Sequence, residues 1–251
     1  MKLLLDAGNS RLKWAWWAQG AVREQGALAH DGATRTPWPG FLSSLELRKA
    51  RHPPTQILCV EVLGNGFREA LQAWAGDRGW PAPRFMSADP ALHGIISDYH
   101  HPARLGLDRY AAMAGARALG HESAVIIDCG TAVTLDLLSK GGHHRGGLIL
   151  PGLGLMRRSL GVAPGVSGVE QGRADRIPAS CTADAVATGT LMGLVAAIDR
   201  LSSSLGSHVP GAIPRLITGG DAPSLAPHLT GDIIMVPDLV FMGLAGMREG
   251  D

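Results

Sequence analysis

Two short segments of the chain carry residue types that can hold a phosphate group. In each, an apolar run leads into an aspartate, a small residue, a glycine and two small residues: Leu3–Ser10 in the first and Val125–Ala132 in the second. Because glycine has no Cβ, backbone N–H groups there can approach an anion closely. The aspartate at each strand end, Asp6 or Asp128, can hold a cation or a metal-bound water. The repeated pattern predicts two hairpins that together clamp a phosphate.

The same segments also fit ordinary hairpins, because Asp, Gly, Asn and Ser are favoured turn residues for conformational reasons alone. Two copies about half a chain apart weaken that interpretation and favour two related halves with a site between them. Lys13 follows the first turn. Its ammonium can point back over a bound anion, or it can be a solvated lysine on an edge strand.

Further candidate residues lie outside the hairpins. The segment Gly106–Arg109 sets a carboxylate beside a guanidinium at a predicted helix start. Asp108 fits either an N-cap or a general base for a substrate hydroxyl, and Arg109 can receive a carboxylate as a fork. Tyr99 lies in a preceding loop and by itself fits packing equally well. Thr182 fits the N-cap of a long helix, whose N-terminus also attracts anions.

Three other motifs carry weaker signals. The pairs His100-His101 and His143-His144 suggest a metal site, but adjacent residues of an extended chain point to opposite faces and no carboxylate spacing accompanies them. We therefore expect solvated loop histidines. After a predicted strand, Gly219-Gly220-Asp221 forms a glycine turn against whose backbone a planar nucleobase can lie.

The elements that position these residues alternate between strands and helices, as judged from hydrophobic periodicity. Strands are predicted at 2–6, 11–18, 21–28, 57–60, 124–128, 132–138, 147–150, 215–218 and 232–236, with a glycine-rich loop at 141–147. Helices are predicted at 66–76, 108–120, 183–205, 222–228 and 239–248, and from about 153. A strand meander followed by crossover helices, and then repeated, predicts a mixed α/β architecture.

Composition excludes several classes of protein. The 251 residues are 45% apolar and 18% charged and include 34 glycines, which describes a compact globular chain. A formal charge of +1 with no run of Lys and Arg gives no case for nucleic acid. Three scattered cysteines fit a reduced cytoplasm. We expect no signal peptide, because only three leucines precede Asp6, and no membrane span, because the best apolar stretch, near Leu148, is interrupted by Pro151.

Taken together, the motifs resemble the type III pantothenate kinases, a branch of the superfamily that shares its fold with actin, Hsp70 ATPase domains and sugar kinases. The most specific part is the GxDR element Gly106–Arg109, followed by the DxGTA element Asp128–Ala132 and by Gly147–Gly152, which resembles the family's GGxIxPG stretch. The resemblance implies two ribonuclease-H-like halves, 1–118 and 119–251, with an ATP cleft between them.

The resemblance also implies roles for individual residues. ATP would be bound by Asp6, Ala7, Gly8, Asn9, Ser10, Arg11, Leu12, Lys13 and Thr131. Pantothenate would be contacted by Tyr99, Gly106, Leu107, Asp108, Arg109 and Thr182. Asp108 would be the catalytic base, and Asp128 would hold a monovalent cation, K⁺ or NH4⁺. Ser10 stands where the family commonly has Thr, which preserves the hydroxyl.

The implied activity is Mg²⁺- and ATP-dependent phosphorylation of pantothenate to 4'-phosphopantothenate, the first step of coenzyme A biosynthesis, by a cytoplasmic homodimer. Two alternatives remain open at this point. One is a kinase of the same superfamily with a sugar-like substrate, and the other is a non-catalytic regulatory protein that retains the ATP fold. The glycine-rich segment 161–172 has the composition of a mobile loop, which does not by itself establish a lid.

Overall fold

The computed structural model describes residues 1–32, 35–45, 53–162 and 172–246. The chain divides into two compact units, the first made of Met1–Gly120 with Asp238–Asp251 and the second of His121–Pro237. The segment from Asp238 joins the first unit. Most of the glycine-rich segment 161–172 lies outside the described residues.

Strands and helices alternate as the periodicity predicts. The strands are β1 (Lys2–Ala7), β2 (Arg11–Ala18), β3 (Ala21–Ala29), β4 (Gln56–Glu61), β5 (Pro83–Phe85), β6 (Ile96–Ser97), β7 (Ala124–Cys129), β8 (Ala132–Ser139), β9 (His143–Pro151), β10 (Arg215–Thr218) and β11 (Ile233–Met235). The helices are α1 (Trp38–Ser43), α2 (Asn65–Gly76), α3 (Pro90–His93), α4 (Leu107–Ala118), α5 (Leu153–Leu160), α6 (Thr182–Gly206), α7 (Ala222–Leu225) and α8 (Leu239–Ala245).

The two units repeat one strand topology. In the first, the sheet order is β3-β2-β1-β4-β5, in which β1 to β3 form an antiparallel meander and β4 and β5 run parallel to β1. In the second, five strands of a six-stranded sheet lie in the order β9-β8-β7-β10-β11 and repeat this arrangement strand for strand, with the same senses of pairing. The repeated motif in the sequence thus corresponds to the first hairpin of two topologically equivalent sheets.

Each unit has its own hydrophobic core. In the first, α2 presents an amphipathic face to the sheet, and the core includes Leu3, Leu5, Trp16, Ile57, Phe67 and Leu71. In the second, α6 lies against β7 and β8, and the core includes Val125, Ile127, Leu135, Leu194, Val195 and Ile198. Burial of these side chains removes apolar area from water, which is the main stabilising term of such units.

Two glycines let α4 and α8 cross closely within the first unit. A Cβ on Gly115 of α4 would overlap the carbonyl of Leu239, and a Cβ on Gly243 of α8 would overlap the carbonyl of Ala111. The backbones of α4 and α8 therefore lie closer together at these two positions than a larger residue would allow. This packing is the physical reason why the C-terminal segment belongs to the first unit.

The expectation of no membrane-length apolar stretch was wrong. Helix α6 is long and apolar enough, by length and composition, to cross a bilayer. Eight of its residues are buried, among them Leu194 and Ile198 in the core of the second unit. Part of its apolar surface is therefore buried in the core of that unit.

The expectation of solvated histidines was wrong at His144. Strand β9 begins at His143, where a loop was predicted, and the imidazole of His144 is fully buried with its Nε2 2.8 Å from Oδ1 of Asp136 on β8. A strand directs alternate side chains inward, and this one meets a carboxylate on the neighbouring strand. Among the described residues, no group of three or more His, Cys, Asp or Glu could hold a metal ion.

Candidate active site

The first glycine turn closes a tight hairpin between β1 and β2. The N–H of Gly8 donates to the carbonyl of Arg11 at 3.1 Å, and Asp6 lies opposite Lys13 in the strand register. Lys13 Nζ lies 3.3 Å from Asp6 Oδ2, with the Asp6 carboxylate 9% exposed and the Lys13 side chain 34% exposed. The buried carboxylate of Asp6 thus holds the ammonium group of Lys13 beside the hairpin. The ammonium group can also attract a second anion there.

A residue that sequence reasoning missed, His30, follows β3 and contacts the same turn. Its ring Nε2 lies 2.9 Å from the carbonyl oxygen of Gly8, and its backbone N–H donates to the carbonyl of Ser10 at 3.0 Å. The contacts depend on the pairing of β3 with β2. The sequence around His30 contains no pattern that predicts these two contacts.

Glu61, also missed, ends β4 beside the first hairpin. Its carboxylate accepts hydrogen bonds from the N–H groups of Leu63 and Gly64 and from the guanidinium of Arg68, at 2.6, 2.7 and 2.5 Å. Burial raises the pKa of Glu61, but these hydrogen bonds outweigh it, so the net pKa lies below the ordinary value of 4.5. The carboxylate fixes the turn from β4 into α2, and an acidic residue between a predicted strand and a predicted helix was a usable signal.

The second glycine turn joins β7 to β8 in the same way. The N–H of Gly130 donates to the carbonyl of Ala132 at 3.0 Å, and the carbonyl of Thr131 accepts the N–H of Gly152 at 3.0 Å. Asp128 occupies the next-to-last position of its strand, as Asp6 does in β1. The Thr131 side chain is exposed and the Asp128 side chain is partly buried. The GGxIxPG-like stretch therefore ends on the second turn.

The glycine turn at Gly219 packs on this second hairpin. A Cβ on Gly219, whose φ is +96°, would lie 2.5 Å from Oδ1 of Asp128, and the N–H of Asp221 donates to the carbonyl of Cys129 at 2.9 Å. Burial, with the nearby carboxylates of Asp128 and Asp221, raises the pKa of the Cys129 thiol far above its ordinary value. Two carboxylates thus stand at the carboxyl ends of neighbouring strands, a donor set that suits a cation.

The start of α4 brings together three predicted residues. Asp108 is the second residue of the helix and not its N-cap, which is Gly106, and its Oδ1 accepts the N–H of Arg109 at 2.8 Å. A Cβ on Gly106 would lie 2.6 Å from that oxygen, so glycine leaves the carboxylate room. The guanidinium of Arg109 is buried and donates to the phenol oxygen of Tyr99 at 3.0 Å. The start of α4 thus brings a carboxylate, a guanidinium and a phenol close together.

Thr182 was expected to cap α6, but the N-cap is Cys181 and Thr182 is the first helical residue. Cys181 makes no side-chain capping hydrogen bond. In the first turn, Asp184 accepts the N–H of Arg173 at 2.8 Å through Oδ1, which ties the preceding segment to the helix. Thr182 is exposed, so its hydroxyl is accessible to a small molecule.

The residues fit the groups that the sequence motifs imply. Mg²⁺ commonly keeps several waters and is held by one or two carboxylates together with substrate phosphates. Each unit by itself places carboxylate oxygens beside a glycine turn: Asp6 in the first unit, and Asp128 with Asp221 in the second. The first turn, with Lys13, supplies the donors that a phosphate requires.

Comparison with known proteins identifies the family. A family model described as type III pantothenate kinase matches residues 2–204. A protein of that name from Laribacter hongkongensis is 37% identical over 99% of this chain and 99% of its own length. A second, from Nitrosococcus oceani, is 35% identical over 99% of this chain and 94% of its own length.

Solved structures agree on the fold. A Campylobacter jejuni protein described as a Baf family transcriptional activator superposes with a TM-score of 0.61 at 24% identity, covering 97% of this chain and 95% of its own. A Sinorhizobium meliloti protein described as a 2-dehydro-3-deoxygalactonokinase superposes with a TM-score of 0.56 at 16% identity, covering 98% and 97%. The expected sugar-kinase-like fold with its two sheets is confirmed. On the extent and identity of these matches, the chain belongs to the type III pantothenate kinase family.

Proposed function

We propose that this chain transfers the γ-phosphoryl group of ATP to the primary hydroxyl of pantothenate, giving 4'-phosphopantothenate, the first step of coenzyme A biosynthesis. The observation that carries the proposal is the start of α4, where Asp108 stands beside a buried Arg109 that is oriented by Tyr99. A hydroxy acid needs such a pair, namely a base for its hydroxyl and a fork for its carboxylate. Family membership supports the same activity.

In this proposal the residues near the start of α4 bind pantothenate and remove its hydroxyl proton. Arg109 and Tyr99 orient the pantothenate carboxylate, with Thr182 contributing a further hydroxyl contact. As the substrate oxygen forms its bond to the γ-phosphorus, the bond from that phosphorus to the bridging oxygen breaks and ADP leaves. Asp108 takes the hydroxyl proton. Because such a transition state is loose, positioning dominates and the base does not require a raised pKa.

The first hairpin holds the nucleotide in this proposal. Its backbone N–H groups and Lys13 bind phosphate oxygens, and Thr131 supplies another hydroxyl contact. Mg²⁺, when bound, offsets the negative charge of the phosphates. We assign a monovalent cation, K⁺ or NH4⁺, to Asp128, whose carboxylate lies next to Gly219 and near Asp221.

We further propose a homodimer in the cytoplasm. Apolar side chains stay exposed along β9 and α5: Leu148, Ile149, Leu155 and Leu160. Ile149 is 64% exposed, which is unusual for isoleucine and is typical of an interface. Cys59, Cys129 and Cys181 are all free, which agrees with a reducing compartment. Light scattering coupled to gel filtration tests the dimer, and Ile149→Asp should yield monomers.

The activity is tested by ADP release coupled to NADH oxidation, with ATP, Mg²⁺ and pantothenate, in K⁺ buffer and again in Na⁺ buffer. Turnover that requires pantothenate and rises with K⁺ supports the proposal. Turnover with sugars but not with pantothenate would instead support a sugar-like substrate. ATP binding with no turnover on any acceptor would support the regulatory alternative, which the comparisons do not favour.

A further inference from the structure

His30 contacts both ends of the first glycine turn, through its ring to the Gly8 carbonyl and through its backbone N–H to the Ser10 carbonyl. We propose that His30 is a positioning residue for ATP, which fixes the direction of the turn's peptide groups before the nucleotide arrives. The inference rests on the proposed binding of ATP phosphates by this hairpin. It assigns a role to a residue outside the sequence motif.

The hydrogen bonds define which ring nitrogen carries the proton. The N–H of Gly32 donates to Nδ1 of His30 at 3.1 Å, so Nδ1 is an acceptor. In a neutral imidazole the proton is then on Nε2, which donates to the Gly8 carbonyl at 2.9 Å. Burial lowers the pKa of His30, and its effect exceeds the opposing effects of the Gly8 hydrogen bond and of Asp31. The neutral ring is therefore the form that serves both contacts.

Peptide geometry carries this contact to the anion site. In a trans peptide, the carbonyl and the following N–H point in opposite directions. Holding the Gly8 carbonyl toward His30 therefore directs the N–H of Asn9 to the other side of the turn. Amide N–H groups attract a phosphate, whereas carbonyl oxygens repel it. If the peptide between Gly8 and Asn9 rotated, its carbonyl oxygen would face the phosphate in place of its N–H group and would repel it.

The imidazole is itself held by aromatic neighbours. Its ring packs edge to face against Trp38 at 5.1 Å and Phe41 at 5.7 Å between ring centres, both from α1. Trp38 is buried and packs in turn on Phe67 of α2, 5.1 Å away. The ring therefore extends the rigid core of the first unit to the glycine turn. A donor held in this way loses little freedom when a ligand binds, which favours affinity.

Two substitutions distinguish the contribution of the aromatic ring to ATP binding from that of its hydrogen bonds. His30→Phe keeps an aromatic ring against Trp38 and removes the donor, whereas His30→Gln keeps a donor and removes the ring. His208→Phe, at an exposed histidine of the second unit, is the matched control. Calorimetry with ATP and Mg²⁺ and without pantothenate should show about tenfold weaker binding for His30→Phe, as for loss of the hydrogen bond to Gly8, a smaller loss for His30→Gln, and wild-type binding for the control.

Kinetics and spectroscopy complete the test. The KM for pantothenate should stay unchanged in His30→Phe while the KM for ATP rises, a split that a general loss of structure would not produce. In wild-type protein, ¹⁵N spectra of the ring should show Nε2 protonated. Unchanged ATP affinity in His30→Phe, or a proton on Nδ1, would overturn the inference. Since calorimetry does not require turnover, a failure of the proposed pantothenate activity remains distinguishable from a failure of this role.

Discussion

The guanidinium of Arg109 donates to the phenol oxygen of Tyr99 at 3.0 Å, and its Cζ lies 5.7 Å from the centre of the Tyr99 ring. Arg109 is 7% exposed, although arginine is rarely buried without partners. The phenol restrains the guanidinium without neutralising its charge. A carboxylate that binds here would therefore meet a fork whose orientation is already set, which lowers the cost of ordering it.

This relationship predicts how pantothenate affinity responds to substitution. Arg109→Lys keeps the charge and loses the planar fork, so the KM for pantothenate should rise about 10–100-fold while the KM for ATP changes little. Tyr99→Phe should raise the KM for pantothenate about threefold, and should have a smaller effect in the Arg109→Lys background, because part of its effect acts through the guanidinium. Steady-state kinetics with each substrate varied provide the measurement. Additive effects in the double variant would contradict the coupling.

Asp108→Asn tests the base. Removing the proton acceptor should lower kcat by about 10²–10⁴-fold, in line with general-base losses, while the affinity for ATP measured by calorimetry stays near wild type. The substitution is isosteric, so the contact with the N–H of Arg109 can be kept by the amide oxygen. An unchanged kcat would remove Asp108 from this role.

Asp128→Asn tests the monovalent cation. If the carboxylate holds K⁺, wild-type turnover should be higher in K⁺ than in Na⁺, and the variant should lose most of that difference, since removing a charged oxygen ligand weakens a hard cation site. Initial rates over a K⁺ titration at constant ionic strength provide the measurement. A variant that keeps the full K⁺ response would place the cation elsewhere.

The carboxylate of Glu61 predicts a pH-dependent contribution to stability. A carboxyl whose folded pKa is depressed stabilises the fold above its unfolded pKa, here near 4.5, and the contribution is lost as pH falls through the lower folded value. Glu61→Gln should therefore cost about 1–3 kcal/mol at pH 7, as for hydrogen bonds to a charged group. The difference from wild type should shrink below pH 4.5.

Urea unfolding at pH 7 and at pH 4 or lower measures this difference. Glu69→Gln, at an exposed position of helix α2, is the control and should change stability little at either pH. If Glu61→Gln lowers the free energy of unfolding by the same amount at both pH values, the loss comes from packing and not from ionisation.

The crossing of α4 and α8 predicts opposite outcomes for two Gly→Ala changes. Gly115→Ala places a methyl group against the Leu239 carbonyl and should destabilise the protein by about 1–3 kcal/mol, the usual cost of overpacking. Gly193→Ala, in α6, meets nothing within 4 Å and should stabilise by about 0.5–1 kcal/mol through helix propensity. Calorimetric unfolding compares the two. Equal effects would contradict the close crossing.

Sequence reasoning succeeded where the information is local. Both glycine hairpins, the long helix α6 and the start of α4 follow from periodicity and turn chemistry within a short window. Their repetition also indicated the repeated topology of the two sheets. Short elements with little periodic signal, such as α1 and β5, were not predicted. Helix caps were displaced by one or two residues at Asp108 and Thr182, because the backbone at a helix end depends on what packs beside it.

Contacts that depend on strand pairing escaped the sequence entirely. His144 has the neighbours of a loop residue, and only the pairing of β9 with β8 places it against Asp136. His30 reaches the Gly8 carbonyl because β3 returns beside β2. In both contacts the two residues belong to different segments of the chain, and no local sequence pattern shows that these segments meet. The family resemblance supplied the motif residues but neither of these two histidines.

The route of the chain between α4 and α8 has a consequence for biosynthesis. The helix that carries Asp108 is made early, yet the surface that it packs against through Gly115 and Gly243 emerges from the ribosome only after the whole second unit. A nascent chain therefore holds an incomplete first unit while the inserted unit folds. Chaperone capture or proteolysis of stalled chains should concentrate on α4, and phosphotransfer should begin only once translation has passed α8.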